Sequence, residues 1–110
     1  MADFSNKMCI VTGATSGIGL AIASELASRG ATLALVGRQR EKGLALAASL
    51  SAKGVTAEFF EFDLSQRPSA DSLVAQVIRR LGRVEVLINN AGVLFNLDSA
   101  VDRFGISIRS

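Results

Sequence analysis

The chain contains no histidine and no tyrosine, and it has a single cysteine, Cys9. Without histidine, a zinc site or a Ser-His-Asp triad built from this chain alone is excluded. One cysteine excludes a disulfide within the chain. Because Cys9 falls in a predicted core strand, we interpret it as a small buried apolar residue.

Long hydrophobic runs are also missing, although apolar residues make up 49% of the 110 residues. Uninterrupted apolar runs, such as 20–23 and 33–36, are far too short to cross a bilayer. The N-terminal stretch MADFSNK lacks the apolar segment of a signal peptide. The formal net charge of +2 gives no strong attraction to nucleic acid or to a membrane surface. We therefore expect a cytoplasmic protein that binds neither nucleic acid nor membrane.

Apolar runs of strand length alternate along the chain with longer segments of helical period. Gly30, Gly54 and Gly82 each follow one of the longer segments, and a left-handed glycine commonly ends a helix. This alternation predicts βαβ units around a parallel sheet with right-handed crossovers, so the fold class is α/β. The predicted strands are 8–11, 32–36, 56–62 and 84–89, and the predicted helices are 17–29, 40–53 and 68–81.

The segment TGATSGIG falls where the first predicted strand turns into the first helix. A nucleotide's phosphates are bound at such a turn by free backbone N–H groups and the positive end of the helix. The spacing G-x-x-x-G-x-G is neither the common dinucleotide fingerprint nor a P-loop. A flexible loop with a small-residue helix start therefore remains an alternative. The candidate cofactor-binding residues of this segment are Gly13, Thr15, Ser16, Gly17, Ile18 and Gly19.

The glycines of this segment have separate expected roles. Gly13 would allow the tight turn, Gly17 would let the backbone approach a pyrophosphate, and Gly19 would let the helix pack against the strand. The hydroxyls of Thr15 and Ser16 could bind the same phosphates or the ribose.

TGATSGIG, together with NNAG at 89–92 after the fourth predicted strand, resembles the short-chain dehydrogenase/reductase family. The resemblance covers about residues 7–95, and it implies a Rossmann-type, doubly wound parallel sheet with strand order 3-2-1-4. Asp63 and Leu64, at the end of the third predicted strand, match the family's adenine-contacting position. The three motifs would then converge at the carboxyl ends of three strands, where open α/β sheets bind ligands.

In that family the asparagine at position 89 steadies the sheet, while Asn90, Ala91 and Gly92 line the cofactor. Each feature also has a simpler interpretation. Asp63 could cap the turn before the third helix. The two asparagines could be turn residues that tolerate left-handed geometry.

The residues at the end of the second predicted strand indicate which nicotinamide cofactor is bound. An acidic residue there would bind the ribose 2′-OH of NAD, but this chain has Gly37 followed by Arg38, Gln39 and Arg40. A guanidinium can bind a 2′-phosphate through two parallel hydrogen bonds, which a carboxylate would repel. We therefore predict NADP (NADPH) rather than NAD, with Arg38 as the main contact and Arg40 as a second. The alternative is that both arginines are ordinary solvated residues.

Members of the family carry the reaction on a serine, a tyrosine and a lysine, and this chain has no tyrosine. Its lysines, Lys7, Lys42 and Lys53, lie outside the region where the pair belongs. We expect residues 1–110 to be a single, partial NAD(P)-binding Rossmann domain with a divergent tail at 93–110, truncated before the catalytic residues. Ile106 and Ile108 in that tail alternate with polar residues, unlike the amphipathic helix that the resemblance implies next.

The resemblance implies an NADP-dependent oxidoreductase that transfers hydride between NADP(H) and an alcohol/carbonyl pair. A catalytically inactive NADP-binding or regulatory protein, or a non-functional fragment, are the alternatives for this chain. With the order 3-2-1-4, the fourth strand would have an unpaired edge, and exposed apolar edges favour pairing with another chain. We therefore expect self-association or pairing through this open edge.

Overall fold

The computed structural model describes residues 4–63, 70–90 and 107–109 of the chain. All strand pairs are parallel, and the strand order is β3-β2-β1-β4-β5. The predicted α/β class and the order 3-2-1-4 are confirmed. The strands are β1 (Met8–Thr12), β2 (Thr32–Gly37), β3 (Ala57–Glu61), β4 (Val86–Ile88) and β5 (Ser107–Arg109), and the helices are α1 (Gly17–Ser28), α2 (Arg40–Ser51) and α3 (Ala70–Leu81).

The outer edge of β4 is covered, because β4 pairs along its whole length with β5. The prediction of an unpaired fourth-strand edge is therefore wrong. The alternation of Ile106 and Ile108 with polar residues has the period of two that is typical of a strand. Residues 107–109 form a strand, whereas the resemblance implies an amphipathic helix next. The edge strands in the described part of the sheet are β3 and β5.

Each strand sends alternate side chains to opposite faces of the sheet, which divides the core into two clusters. Cys9 and Val11 pack with residues of α1 and α2 on one face. Ile10 packs with Leu73 and Val77 of α3 on the other face. Because both faces of β1 are covered, all of its residues are buried.

The three glycines that follow the helices have φ values of +88°, +95° and +96°. Gly30, Gly54 and Gly82 therefore adopt the left-handed conformation that ends a helix, and this prediction is confirmed. The predicted helix start at residue 68 lies outside the described residues. No helix in the described ranges is long and apolar enough to span a membrane.

Candidate functional site

The turn from β1 into α1 is held at the carboxyl edge of the sheet. Gly13 has a φ of +63°, a conformation that is open to glycine because it lacks a Cβ. The amide of Ala14 donates to the carbonyl oxygen of Val36 at 3.1 Å, which fastens the loop to the end of β2. The amide of Ser16 donates back to the Gly13 carbonyl at 3.2 Å and closes the turn.

The two later glycines of the loop differ in what surrounds them. A Cβ on Gly19 would lie 1.9 Å from the carbonyl oxygen of Gly13 and 2.8 Å from Nδ2 of Asn90. A Cβ on Gly17 would meet no atom of residues 4–63, 70–90 or 107–109 within 4 Å. Packing therefore requires glycine at 19, as the motif predicts. No contact among the described residues requires glycine at 17.

The N-terminus of α1 presents free amides. Ser16 is its N-cap residue, but the Ser16 hydroxyl donates to the Gly13 carbonyl at 2.8 Å and makes no cap hydrogen bond. The first helical bond to Ser16 comes from the amide of Leu20 at 2.7 Å. The preceding amides, at 17–19, therefore have no acceptor within the described ranges. Three such donors at the positive end of a helix favour an anion.

Thr12 joins the carboxyl ends of β1 and β4. Its side chain is completely buried. Its Oγ1 lies 3.1 Å from Oδ1 of Asn89 and 3.3 Å from the carbonyl oxygen of Ile88, and it accepts the amide of Asn90 at 2.9 Å. The contact to Asn89 agrees with the sheet-steadying role that the resemblance implies. Sequence reasoning did not identify Thr12, although a hydroxyl in an otherwise apolar strand was a visible signal.

Asn90 brings the fourth-strand motif to the glycine loop. Its Nδ2 donates to Oγ of Ser16 at 3.3 Å and to the Gly13 carbonyl at 3.5 Å. Two of the predicted motifs therefore come together at one edge of the sheet. Ala91 and Gly92 of the fourth-strand motif, and Leu64 of the third-strand motif, lie outside the described residues.

Asp63 follows β3 at the same edge of the sheet. The amide of Phe62 donates to the carbonyl oxygen of Gly37 at 2.9 Å, so β3 stays beside β2 up to this point. Asp63 is half-buried and comes directly after that bond. Two strands, β2 and β1, thus separate the start of the third predicted motif from β4.

The end of β2 has two exposed cations and a narrow space beside Gly37, between Thr15 and Phe59, which we call the Gly37 slot. A Cβ on Gly37 would lie 3.4 Å from Oγ1 of Thr15 and 3.6 Å from a ring carbon of Phe59. Arg38 is exposed and makes no ion pair with the described residues. Arg40, the first residue of α2, lies 3.4 Å from the carboxylate of Glu61. Both arginines are predicted from the sequence, and Glu61 is not.

Ile18 lies on the first turn of α1 with 70% of its surface exposed, which is high for so apolar a residue. It lines a shallow, largely apolar groove along the outer side of α1. At the polar rim of this groove, a hydrogen bond from Arg29 holds the pKa of the Glu25 carboxyl below its usual range. The predicted loop residues therefore divide into a polar group facing the strand ends and one apolar side chain on the helix surface.

The family model described as short chain dehydrogenase matches residues 7–104. A 3beta-hydroxysteroid dehydrogenase of Mediterraneibacter gnavus is 40% identical over 94 residues, which is 86% of this chain and 34% of the relative. The chain thus spans about a third of the length of the curated relatives it matches.

Solved structures show the same similarity. The L-sorbose reductase of Gluconobacter frateurii, complexed with NADPH and L-sorbose, has a TM-score of 0.75 and 38% identity, and the match covers 83% of this chain and 35% of that one. An NAD⁺-bound xylitol dehydrogenase matches with the same TM-score, identity and coverage. The sheet order, the glycine loop and the family match over most of the chain agree, and the chain therefore belongs to the short-chain dehydrogenase family.

Proposed function

We propose that the edge formed by the carboxyl ends of β1, β2 and β4 binds NADP(H). On this proposal, residues 1–110 form a single, partial cofactor-binding domain of a short-chain oxidoreductase. The observation that carries the proposal is the loop before α1. It combines free helix amides with a glycine, Gly17, whose missing Cβ leaves room that no atom in the described part of the chain fills. A diphosphate needs both features, because it accepts backbone hydrogen bonds only at close approach.

Polar groups around this loop support the same assignment. The Thr15 hydroxyl lies at the Gly37 slot, and Asn90 fixes the loop through Ser16 and the Gly13 carbonyl. Asp63, directly after β3, would bind the adenosine end of the cofactor. We extend the proposed site to Leu64, Ala91 and Gly92, which complete the motifs in the sequence, and to Ile18 beside the loop.

We base the proposed preference for NADP on the charges of the side chains at the end of β2 and the start of α2. Gly37 supplies no carboxylate to repel a 2′-phosphate, and the guanidinium of Arg38 is exposed with no ion-pair partner in the described ranges. Arg40, the first residue of α2, supplies a second cation near Gly37 in the sequence. One similar structure contains NADPH and another contains NAD⁺, so the family relationship alone does not choose between the two cofactors.

When bound, NADP(H) would supply or accept a hydride, and the proposed reaction interconverts an alcohol and a carbonyl compound. The chain's own residues would bind and orient the cofactor. No tyrosine is present among the 110 residues to exchange the proton of the substrate oxygen. That observation favours a second candidate, an NADP-binding or regulatory protein without catalysis. Following NADPH absorbance with carbonyl substrates separates the two.

Two glycine substitutions test the loop. Gly17→Ala adds a Cβ in open space, so we expect an unchanged thermal melt but a loss of NADPH affinity of at least about tenfold. Gly19→Ala drives a Cβ into the Gly13 carbonyl, so we expect a lower melting temperature as well as lost binding. Circular dichroism and NADPH titration measure the two effects. NADPH binding that survives Gly17→Ala would contradict the proposed diphosphate site.

A further inference from the structure

Glu61 places a carboxylate beside the slot at the end of β2. It is the last residue of β3, and its Cα pairs in register with that of Gly37. Side chains along β3 alternate, with Phe59 in the cluster under α1 and α2 and Phe60 in the cluster under α3. Glu61 therefore stands on the same face as Phe59, next to the position where Gly37 has no side chain.

The partner of Glu61 is one of the two arginines that we assign to the 2′-phosphate. Nη1 of Arg40 lies 3.4 Å from Oε1 of Glu61, and the side chains are 68% and 54% exposed. Exposed ion pairs of this kind are weak and exchange partners readily. A phosphate offers Arg40 a stronger, doubly hydrogen-bonded partner, so the phosphate and Glu61 compete for one guanidinium.

The neighbouring acidic residue of β3 has a different environment. Glu58 points to the opposite face and pairs with Arg80, whose guanidinium lies 4.9 Å from the centre of the Phe60 ring. Its removal changes the net charge by the same amount as removal of Glu61. Because it lies away from Gly37, Glu58 serves as a matched control for general electrostatic effects.

We propose that Glu61 is a specificity-determining residue of the cofactor site. Its carboxylate repels a 2′-phosphate and draws Arg40 toward β3, which weakens the preference for NADP over NAD. In dinucleotide sites selective for NAD, the carboxylate near the ribose comes from the end of the second strand. In this chain Gly37 occupies that place, and the carboxylate reaches the same region from the adjacent strand. The inference rests on the proposed function.

The test compares the dissociation constants of NADPH and NADH for the unmodified chain, Glu61→Gln and Glu58→Gln by calorimetry. We expect Glu61→Gln to bind NADPH about two- to fivefold more tightly, with NADH affinity unchanged or lower. Glu58→Gln should leave the ratio of the two affinities as it is. A ratio that does not rise in Glu61→Gln, or that rises equally in Glu58→Gln, overturns the proposal.

Variants made in the Arg40→Ala protein separate two effects of Glu61. One is direct repulsion of the 2′-phosphate, and the other is competition for the Arg40 guanidinium. In Arg40→Ala the competition is gone, but the carboxylate still repels the phosphate. We therefore expect Arg40→Ala/Glu61→Gln to bind NADPH more tightly than Arg40→Ala alone; equal affinities overturn the direct repulsion. An unmodified chain that binds neither dinucleotide overturns the proposed function and this role together. If the chain binds the dinucleotides but Glu61→Gln leaves the ratio of NADPH to NADH affinity unaltered, only the role of Glu61 is overturned.

Discussion

Gly19 and Gly43 are each fixed by contacts across the fold, and only Gly19 could be predicted. Gly19 belongs to a motif whose geometry is known in physical terms, so its close approach to Gly13 follows from the sequence. Gly43 sits inside α2, where glycine ordinarily only weakens a helix. A Cβ there would lie 2.1 Å from ring carbons of Phe59. The requirement depends on how α2 packs on β3, which local sequence does not specify.

Cys9 was predicted to be a buried apolar residue, and its side chain is completely buried. Burial raises the pKa of the Cys9 thiol from 9.0 to about 11, and the nearby Glu85 carboxylate adds to the increase. A thiol whose pKa is higher in the folded state stabilises the fold below the unfolded pKa. That stability is lost as the pH rises through the folded pKa.

We therefore expect the free energy of unfolding to fall between about pH 9 and pH 11 by up to about 3 kcal/mol because of Cys9. Cys9→Ala should start from a lower stability but lose less of it over the same range. Urea unfolding of both proteins at several pH values measures how the free energy of unfolding changes with pH in each. Identical slopes for the two proteins would show that Cys9 ionisation does not drive the loss.

At the scale of elements, the sequence predicts the helices and strands well because local signals mark them. Apolar runs fix the strands, and the left-handed glycines fix where the helices stop, within one or two residues. The predicted fourth strand, 84–89, is longer than β4 by two residues at its start and one at its end, where Asn89 and Asn90 contact Thr12. Such a link joins residues far apart in sequence and has no local signature.

The link between β1 and β4 is the element-scale feature that is easiest to test. Thr12→Val keeps the shape of the side chain but leaves the Asn90 amide without its buried acceptor. We expect the free energy of unfolding to fall by about 1–3 kcal/mol, as measured by urea denaturation. Thr15→Val is the matched control, because the Thr15 side chain is only half-buried. Comparable losses in the two variants would contradict a special role for Thr12.

At the scale of the whole molecule, the sheet order brings the glycine loop and the asparagine motif to one edge. The order reverses at β1, which has β2 on one side and β4 on the other. Ligands bind at such switch points in open α/β sheets. Pairing of β4 with β5 could not be predicted, since strand pairing is non-local and three residues give a weak pattern.

The central claim is that this edge binds NADP in preference to NAD, through the loop amides and Arg38. Calorimetric titration of the 110-residue chain with NADPH and NADH tests it most directly. We predict saturable heat with tighter binding of NADPH than of NADH. Arg38→Ala should lower the NADPH affinity by about tenfold or more. Arg79→Ala, which removes an exposed arginine on α3, should not lower it. No heat from the folded chain, or a cofactor preference unchanged by Arg38→Ala, would contradict the account.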